Sequence, residues 1–133
     1  MSRILIVDDN LSVRTAMEVL LRREGHEILS AGSAAEGIRL AEASPVDLVF
    51  MDVHMPQQDG VSASREMRRR PALARTPILL MSGSSTGEIV LASQAAGAQA
   101  VLRKPAFIRD LVAIVREHLG PGLEAQPEAA SGA

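Results

Sequence analysis

The chain has 133 residues, 47% of them apolar, and a formal net charge of −2, which fits one domain with a single core and gives no general attraction to nucleic acid. It contains no cysteine, which excludes disulfides and zinc–thiolate sites. No stretch reaches the ~18 apolar residues of a membrane span and no signal peptide is recognisable, so we expect a cytoplasmic protein without membrane contact.

In the N-terminal half, short apolar runs alternate with segments whose apolar residues follow helical spacing. Short apolar runs predict strands, whereas apolar residues at i, i+3 and i+4 predict amphipathic helices. The elements predicted in chain order are a strand at 3–7, a helix around 13–21 that stops at Gly25, a strand at 27–31, a helix opened by the capping box Ser33–Glu36, and a strand at 47–51. The third strand is apolar almost throughout, which is typical of a strand buried on both faces.

The C-terminal half continues this alternation after a loop at 54–60, which contains Pro56 and the turn signal Asp59-Gly60. The elements predicted in chain order are a helix around 61–70, a strand at 77–81, a helix opened by the capping box Ser85–Glu88 and closed by Gly97, a strand at 98–102, and a helix with Phe107, Leu111, Ile114 and Val115 on one face. We interpret the arginines at 65–75 as a solvated helix end, because cations suit helix C-termini and no aromatics interleave.

The composition changes at residue 120. Beyond it Pro, Gly, Ala and Glu predominate, and Leu123 is the only large apolar residue. We therefore assign residues 1–119 to one domain and predict that residues 120–133 are a disordered tail or linker.

Five alternating strand–helix units predict an α/β fold with a doubly wound parallel sheet and helices on both faces. Right-handed crossovers leave few topologies, and the flavodoxin-like strand order 2-1-3-4-5 is the leading choice. In that order the functional site lies at the carboxyl ends of strands one and three. Asp8 and Asp9 follow strand one and Asp52 follows strand three, so the topology brings three carboxylates together.

Three converging carboxylates repel one another, and a hard divalent cation relieves that repulsion. Mg²⁺ prefers oxygen ligands and takes one or two carboxylates together with a phosphate. An ionised aspartate beside such an ion can attack phosphorus and form an aspartyl phosphate. Ser82 after strand four and Lys104 after strand five would add a hydroxyl donor and a cation to the same edge. Alternatively, Asp8, Asp9 and Asn10 only cap the first helix.

In order and spacing, these pieces resemble the receiver domain of bacterial two-component response regulators. The matching pieces are Asp8-Asp9, the segment 52–60, the corner Met81-Ser82-Gly83 and the pair Lys104-Pro105, and the resemblance covers residues 3–119. It implies that Asp52 is the phosphoacceptor. It also implies that Asp8, Asp9 and Asp52 bind Mg²⁺ together with the backbone carbonyl of His54.

The resemblance implies further roles around the acceptor. The hydroxyl of Ser82 would move to contact the phosphate when the domain is activated, and Lys104 would pair with the acceptor or its phosphate. The peptide bond between Lys104 and Pro105 would be cis, which only X-Pro bonds tolerate cheaply. The side chains of His54 and Ser84 would flank the path of the attacking water and tune the lifetime of the phosphate.

Other positions carry structural or switching expectations. Asp59 and Gly60 would shape the loop after the acceptor. The position three before the lysine is usually aromatic in this family and rotates inward on activation, but here it is Val101. Because Val101 is short and stiff at χ1, we expect a switch that works without an aromatic rotamer change.

The expected function is a regulatory phosphoacceptor that assists its own phosphorylation and dephosphorylation. Its donor would be a sensor histidine kinase or a phosphotransfer protein. It would signal to a downstream protein through the face of helix four, strand five and helix five, without direct nucleic-acid binding. Two alternatives remain within the family: a stand-alone regulator or phosphorelay shuttle, and a module of a longer response regulator or hybrid kinase.

Two rival functions share parts of this pattern. A dehalogenase-type phosphatase also forms an aspartyl phosphate, but it needs a second acid two residues after the nucleophile, where this chain has His54. A flavin or nucleotide binder of the same fold needs a Gly-rich or Ser/Thr-rich phosphate loop after strand one, where this chain has acids.

Overall fold

The computed structural model of the chain describes residues 2–84 and 86–120. The strands are β1 (Arg3–Val7), β2 (Glu27–Ala31), β3 (Leu48–Asp52), β4 (Ile78–Ser82) and β5 (Ala100–Arg103). The helices are α1 (Leu11–Arg23), α2 (Ala34–Ala43), α3 (Gly60–Arg68), α4 (Gly87–Ala95) and α5 (Leu111–Leu119), with short 3₁₀ helices at Pro71–Leu73 and Ala106–Asp110. Strands and helices follow one another in the order predicted from the sequence.

The strands form one parallel sheet in the order β2-β1-β3-β4-β5. This order confirms the predicted doubly wound, flavodoxin-like fold. β3 and β4 are buried along their full length because helices cover both faces of the sheet. Since the strands run parallel, the residues that end them or follow them meet at one edge, which we call the carboxyl edge. Asp8, Asp52, Ser82 and Lys104 lie there.

Alternate residues of the strands enter two hydrophobic clusters on opposite faces of the sheet. Leu5 of β1 belongs to the cluster that α2 and α3 complete, and its neighbour Ile4 belongs to the cluster that α1 and α5 complete. Phe50 and Phe107 stack in the second cluster with their ring centroids 6.4 Å apart. They are the only two aromatic side chains in the sequence, so aliphatic and Met side chains supply most of the core.

Four helices begin after a residue whose side chain accepts a hydrogen bond from a backbone N–H of the first turn. These N-caps are Asn10 for α1, Ser33 for α2, Asp59 for α3 and Thr86 for α4. For α2 the predicted cap by Ser33 is confirmed, and Glu36 accepts from the N–H of Gly32, one residue before the cap. For α4 the prediction named Ser85, which lies outside the described residues, whereas the structure caps the helix one residue later through Thr86.

The ends of several elements, β3 and β4 among them, differ from the sequence prediction by one or two residues, and for α3 and β5 the structure gives a local reason. α3 starts one residue early because Asp59 caps it, and it ends two residues early because Pro71 opens a 3₁₀ helix. β5 starts two residues late. The cause is that Gly97, with φ of 92°, follows α4 in the left-handed region, while Ala98 still donates its N–H to Ser93.

Two sequence predictions concern the limits of the domain. The predicted tail comprises residues 120–133, of which 121–133 lie outside the described part of the chain, so it stays a prediction together with the assignment of residues 1–119 to one domain. Within residues 2–84 and 86–120, none of the helices has the length and apolar character needed to cross a membrane.

Gly60, the first residue of α3, lies directly against the end of β3. Its N–H donates to the carbonyl of Val53 at 2.9 Å. A Cβ at this position would overlap the backbone carbonyl oxygen of Asp52 and would lie 3.0 Å from Cγ of Met51. Backbone cannot move away as a flexible side chain can, so α3 can approach the end of β3 this closely only because residue 60 is glycine.

We predict that Gly60→Ala destabilises the fold by about 1–3 kcal/mol, because the added methyl group meets backbone in a packed region. Gly87→Ala is the matched control, since it also stands at a helix start but its Cβ would meet nothing within 4 Å. The control should change stability by no more than about 0.5 kcal/mol or increase it. Urea unfolding of both variants measures the difference, and equal effects would show that the contact with Asp52 is unimportant.

Candidate functional site

Three carboxylates meet at the carboxyl edge. Asp8 follows β1 and Asp52 ends β3, and these strands are neighbours in the sheet. One carboxylate oxygen from each of Asp8, Asp9 and Asp52 lies within 4.8 Å of the others. The side chains of Asp8 and Asp52 are almost completely buried, whereas Asp9 is exposed. The acids that the sequence predicted to converge therefore do so, with two of them inside the fold and one at its surface.

Lys104 lies between the two buried acids. Its Nζ donates to Oδ2 of Asp8 at 2.8 Å and lies 3.4 Å from Oδ2 of Asp52. The backbone places it there, since the N–H of Lys104 donates to the carbonyl of Ser82 at 2.8 Å and extends the pairing of β5 with β4. The peptide bond between Lys104 and Pro105 is cis, as expected. Lys104 thus pairs with both acids, and its shorter contact is to Asp8 rather than to the expected acceptor, Asp52.

Backbone donors hold the other oxygen of each buried carboxylate. The N–H of Asn10 donates to Oδ1 of Asp8 at 2.9 Å, and the N–H of His54 donates to Oδ1 of Asp52 at 3.3 Å. The side chain of Asn10, rather than that of an acid, caps α1 by accepting from Val13. Helix capping therefore does not account for Asp8. The roles of the Asn10 and His54 amides had no signal in the sequence beyond their position after the acids.

Burial, and after it the neighbouring charge of Asp8, raise the pKa of Asp52 to about 6, although the charge of Lys104 opposes the increase. Burial alone would lower the pKa of Lys104, but its hydrogen bond to Asp8 and the charges of Asp52 and Asp8 raise it above its ordinary value. The site therefore favours a charged lysine beside an aspartate that holds its proton more tightly than usual.

Ser82 is fully buried and its hydroxyl faces the loop that follows β4. Its Oγ donates to the carbonyl of Ser84 at 2.6 Å and accepts from the N–H of Ser84 at 3.2 Å. The structure thus brings Ser82 to the carboxyl edge, but ties its hydroxyl to the loop backbone. His54 and Ser84, the two positions predicted to tune the lifetime of the phosphate, are exposed.

Val101, predicted as a switch position, and Asp59, predicted to shape the loop after the acceptor, lie apart from the acids. Val101 is partly buried and packs against the hydrophobic cluster on the α2 and α3 face. Asp59 caps α3, and its carboxylate accepts from the N–H and the hydroxyl of Ser62. Neither side chain takes part in the group of acids around Lys104.

The acids suit a hard divalent cation. The cluster offers carboxylate oxygens only, and these are the ligands that Mg²⁺ prefers. Two of the carboxylates are buried side by side with a single lysine as counter-charge, so a further cation at their exposed side would reduce their repulsion. On these grounds the residues present fit Mg²⁺.

Comparison with known proteins gives the family of the chain. The family model described as response regulator receiver domain matches residues 4–116. The chain is 39% identical over 111 residues to the transcriptional regulatory protein PdtaR of Mycobacterium tuberculosis, covering 83% of this chain and 53% of that protein. It is 34% identical over 105 residues to the CAI-1 autoinducer sensor kinase/phosphatase CqsS of Vibrio cholerae, covering 78% of this chain and 15% of that protein. The chain thus spans about half, or less, of the length of these curated relatives.

Comparison with solved structures gives the same family. The chemotaxis protein CheY4 of Vibrio cholerae superposes with a TM-score of 0.86 at 28% identity, covering 90% of this chain and 99% of that one. The receiver domain of the sensor histidine kinase PA1611 of Pseudomonas aeruginosa, solved with a magnesium ion coordinated in its active site cleft, gives a TM-score of 0.81 at 29% identity, covering 90% and 98%. Because the family match includes all of the sheet except Arg3 and every acid at its carboxyl edge, the chain belongs to the response regulator receiver domain family, a family of signalling domains.

Proposed function

We propose that the chain is a phosphorylation-dependent signalling switch in which Asp52 accepts a phosphoryl group. The observation that supports this most is the placement of Asp52 at the end of a central strand, beside Asp8 and 3.4 Å from the amine of Lys104. Lys104 contacts both buried acids, and the amide of His54 holds the other oxygen of Asp52. Asp9, by contrast, lies at the surface.

Asp8, Asp9 and Asp52, with the backbone carbonyl of His54, would hold Mg²⁺. When bound, the ion supplies positive charge that offsets the acids and the phosphoryl oxygens during transfer. Lys104 supplies a second positive charge, from the side of the carboxylates where its Nζ already lies. The PA1611 receiver domain, whose structure contains a coordinated magnesium ion, supports this assignment by its similarity in sequence and fold.

In the transfer step, a carboxylate oxygen of Asp52 attacks the phosphorus of a phosphohistidine. The new O–P bond forms as the N–P bond breaks, and the leaving imidazole nitrogen keeps the electron pair and takes up a proton from water. The attacking oxygen must be ionised, so transfer requires that the carboxylate has lost its proton despite a raised pKa. Lys104 stabilises the ionised form, which makes it a participant in the chemistry and not only in the fold.

Ser82 then links the chemistry to the rest of the domain. To donate to a phosphoryl oxygen on Asp52, its hydroxyl must exchange its donor bond to the carbonyl of Ser84. That exchange displaces the loop between β4 and α4. Because Val101 is aliphatic and already packs against the core, the change would reach the face of α4, β5 and α5 without an aromatic side chain changing rotamer.

The partners follow from the family. The phosphoryl donor would be a sensor histidine kinase or a phosphotransfer protein. The downstream target would be a protein that binds the face of α4, β5 and α5. The relatives include a transcriptional regulator and a sensor kinase, so a module of a longer response regulator or hybrid kinase is the alternative to a stand-alone regulator or relay shuttle. A cytoplasmic location stays a prediction from the sequence.

We predict that the chain takes up one phosphoryl group from acetyl phosphate only when Mg²⁺ is present, and that Asp52→Asn abolishes this uptake. Asp59→Asn is the matched control, because it removes an acid seven residues away while an amide oxygen can still cap α3. Intact-mass measurement gives the result for all three proteins. The same adduct on Asp52→Asn would show that another residue is the acceptor.

We predict that His54→Asn changes the rate of phosphate loss without preventing phosphorylation. The side chain of His54 is exposed beside the acceptor, while its backbone N–H holds Asp52 and is kept in the variant. The measurement is the decay of the phosphorylated fraction by intact mass after the donor is removed. Ser84→Asn tests the second tuning position in the same way, and unchanged decay in both would remove these side chains from the hydrolysis step.

We predict that Asp52→Asn stabilises the metal-free fold by about 1–2 kcal/mol at pH 7.5. The folded-state pKa of Asp52 is about 6, above the ~3.9 of an unfolded aspartate, so protonation favours folding. That contribution is full below about pH 4 and is lost as the pH rises through about 6. The advantage of the variant should therefore shrink as the pH falls from 7.5 to 5.

Urea unfolding in the presence of EDTA at both pH values measures this difference. Adding Mg²⁺ at pH 7.5 should stabilise the native chain more than Asp52→Asn, because only the native chain keeps all three carboxylates. If the variant is less stable than the native chain at pH 7.5, the attraction between Asp52 and Lys104 outweighs the cost of burying Asp52.

A further inference from the structure

The two ends of α4 are held very differently. At its N-terminal end Gly87 and Glu88 are exposed, and Leu91 keeps 69% of its surface in contact with solvent. The only buried residue within the helix is Ser93, towards its C-terminal end. Ala96 and Ala98, just beyond the helix, are also buried. Ile89 and Val90 are half-buried, so the helix is packed more tightly into the domain at its C-terminal end than at its N-terminal end.

The C-terminal end of α4 is held by Arg68 of α3. Nε and Nη2 of Arg68 both donate to the carbonyl oxygen of Gly97, at 3.1 and 2.8 Å. Nη1 donates to the carbonyl of Leu73 at 2.7 Å, and Nη2 also reaches Oε1 of Gln99 at 3.2 Å. The guanidinium thus joins the end of α3, the segment before β4 and the turn between α4 and β5.

These bonds depend on the shape of the guanidinium rather than on its pairing with an acid. In the described part of the chain no carboxylate lies within ion-pair distance of Arg68, and burial lowers its pKa. Its acceptors are two backbone carbonyls and an amide oxygen, which a planar fork can reach together and an ammonium group cannot. The neighbouring Arg70, in contrast, pairs with Glu42 and Glu66.

Gly97 is fitted to this contact. It has φ of 92°, and a Cβ there would lie 2.8 Å from Cγ and 2.9 Å from Nε of Arg68. The turn can therefore bring its carbonyl to the guanidinium only with glycine at this position. Gln99 adds to the attachment, because its Oε1 also accepts from the N–H of Ile78 at the start of β4.

α3 itself is fixed relative to the acceptor. Its first residue, Gly60, contacts the backbone of Asp52, and its last residue is Arg68. The C-terminal end of α4 is thus tied, through one helix, to the strand that carries the acceptor. Its N-terminal end is joined to Ser82 by the loop in which Ser84 holds the serine hydroxyl.

We propose that Arg68 makes the C-terminal end of α4 a fixed pivot at Gly97, about which the poorly packed N-terminal part of the helix moves when the acceptor is occupied. Arg68 is in this sense a positioning residue, since it contacts neither the acceptor nor its phosphate. The part of the proposal that concerns occupation of the acceptor rests on the proposed function of Asp52. The part that concerns the metal-free, unphosphorylated chain is independent of that function.

The test is amide hydrogen exchange on the full chain, with and without Mg²⁺ and the phosphate mimic beryllofluoride. In the unmodified, mimic-free protein, amides at 92–99 should exchange at least about tenfold more slowly than those at 87–91. The mimic should change exchange in segment 86–91 and leave 92–99 unchanged. In Arg68→Met, residues 92–99 should lose about tenfold or more of their protection, and the effect of the mimic should spread into them.

Arg70→Met is the matched control, because it removes a cation from the same helix end without touching α4, and it should leave both patterns intact. If Arg68→Met does not fold, Arg68→Lys keeps the charge and stem, loses only the fork, and should show the same spread. Equal protection along the whole of α4 in the native chain, or an unchanged pattern in the folded Arg68 variant, would overturn the proposal. If the mimic changes no amide near Asp52, the proposed function fails, and the mimic-free comparison alone decides the pivot.

Discussion

Burying Asp8 and Asp52 side by side at the carboxyl edge is the constraint on which the rest of the structure depends. Burial removes water that would screen the two charges, so their repulsion is strong. The sheet cannot avoid the arrangement, because β1 and β3 are neighbours and end at the same edge. Lys104 compensates from 2.8 and 3.4 Å, and the amides of Asn10 and His54 hold the far oxygens. The acids are thus kept together by specific contacts rather than left to separate.

The same contacts define what a phosphoryl group would change. In the unphosphorylated chain Lys104 is engaged with the acids and Ser82 is engaged with the backbone of Ser84. A group on Asp52 would offer both side chains new oxygen acceptors, and only such a difference between two states can shift their populations. In the proposed switch the response would fall at the start of α4, where Gly87 and Glu88 are exposed, while Arg68 holds the opposite end. Chemistry and movement would then be separated in space but joined through β3, α3 and the loop after β4.

The range of each interaction explains which features the sequence could predict. Apolar runs and N-caps act within a few residues, so the strands and the cap at Ser33 could be predicted from the sequence. The crossover rules then predicted that Asp52 lies beside the other acids. Contacts that depend on tertiary packing could not be predicted from the sequence. Lys104 lies closer to Asp8, 96 residues away, than to the expected acceptor. Arg68, interpreted as part of a solvated helix end, instead binds a carbonyl 29 residues away. Neither contact leaves a local pattern in the sequence.

The bond between Lys104 and Asp8 also has a consequence for how the domain is made. Asp8 and Asp52 belong to the first half of the chain, but their counter-charge arrives only with β5, the last strand. A nascent chain that ends before β5 therefore lacks the amine that lies between the two acids, and contacts of such long sequence separation form slowly. During synthesis this ion pair can form only after nearly the whole domain has left the ribosome. The contact that compensates the buried acids thus also requires an almost complete domain.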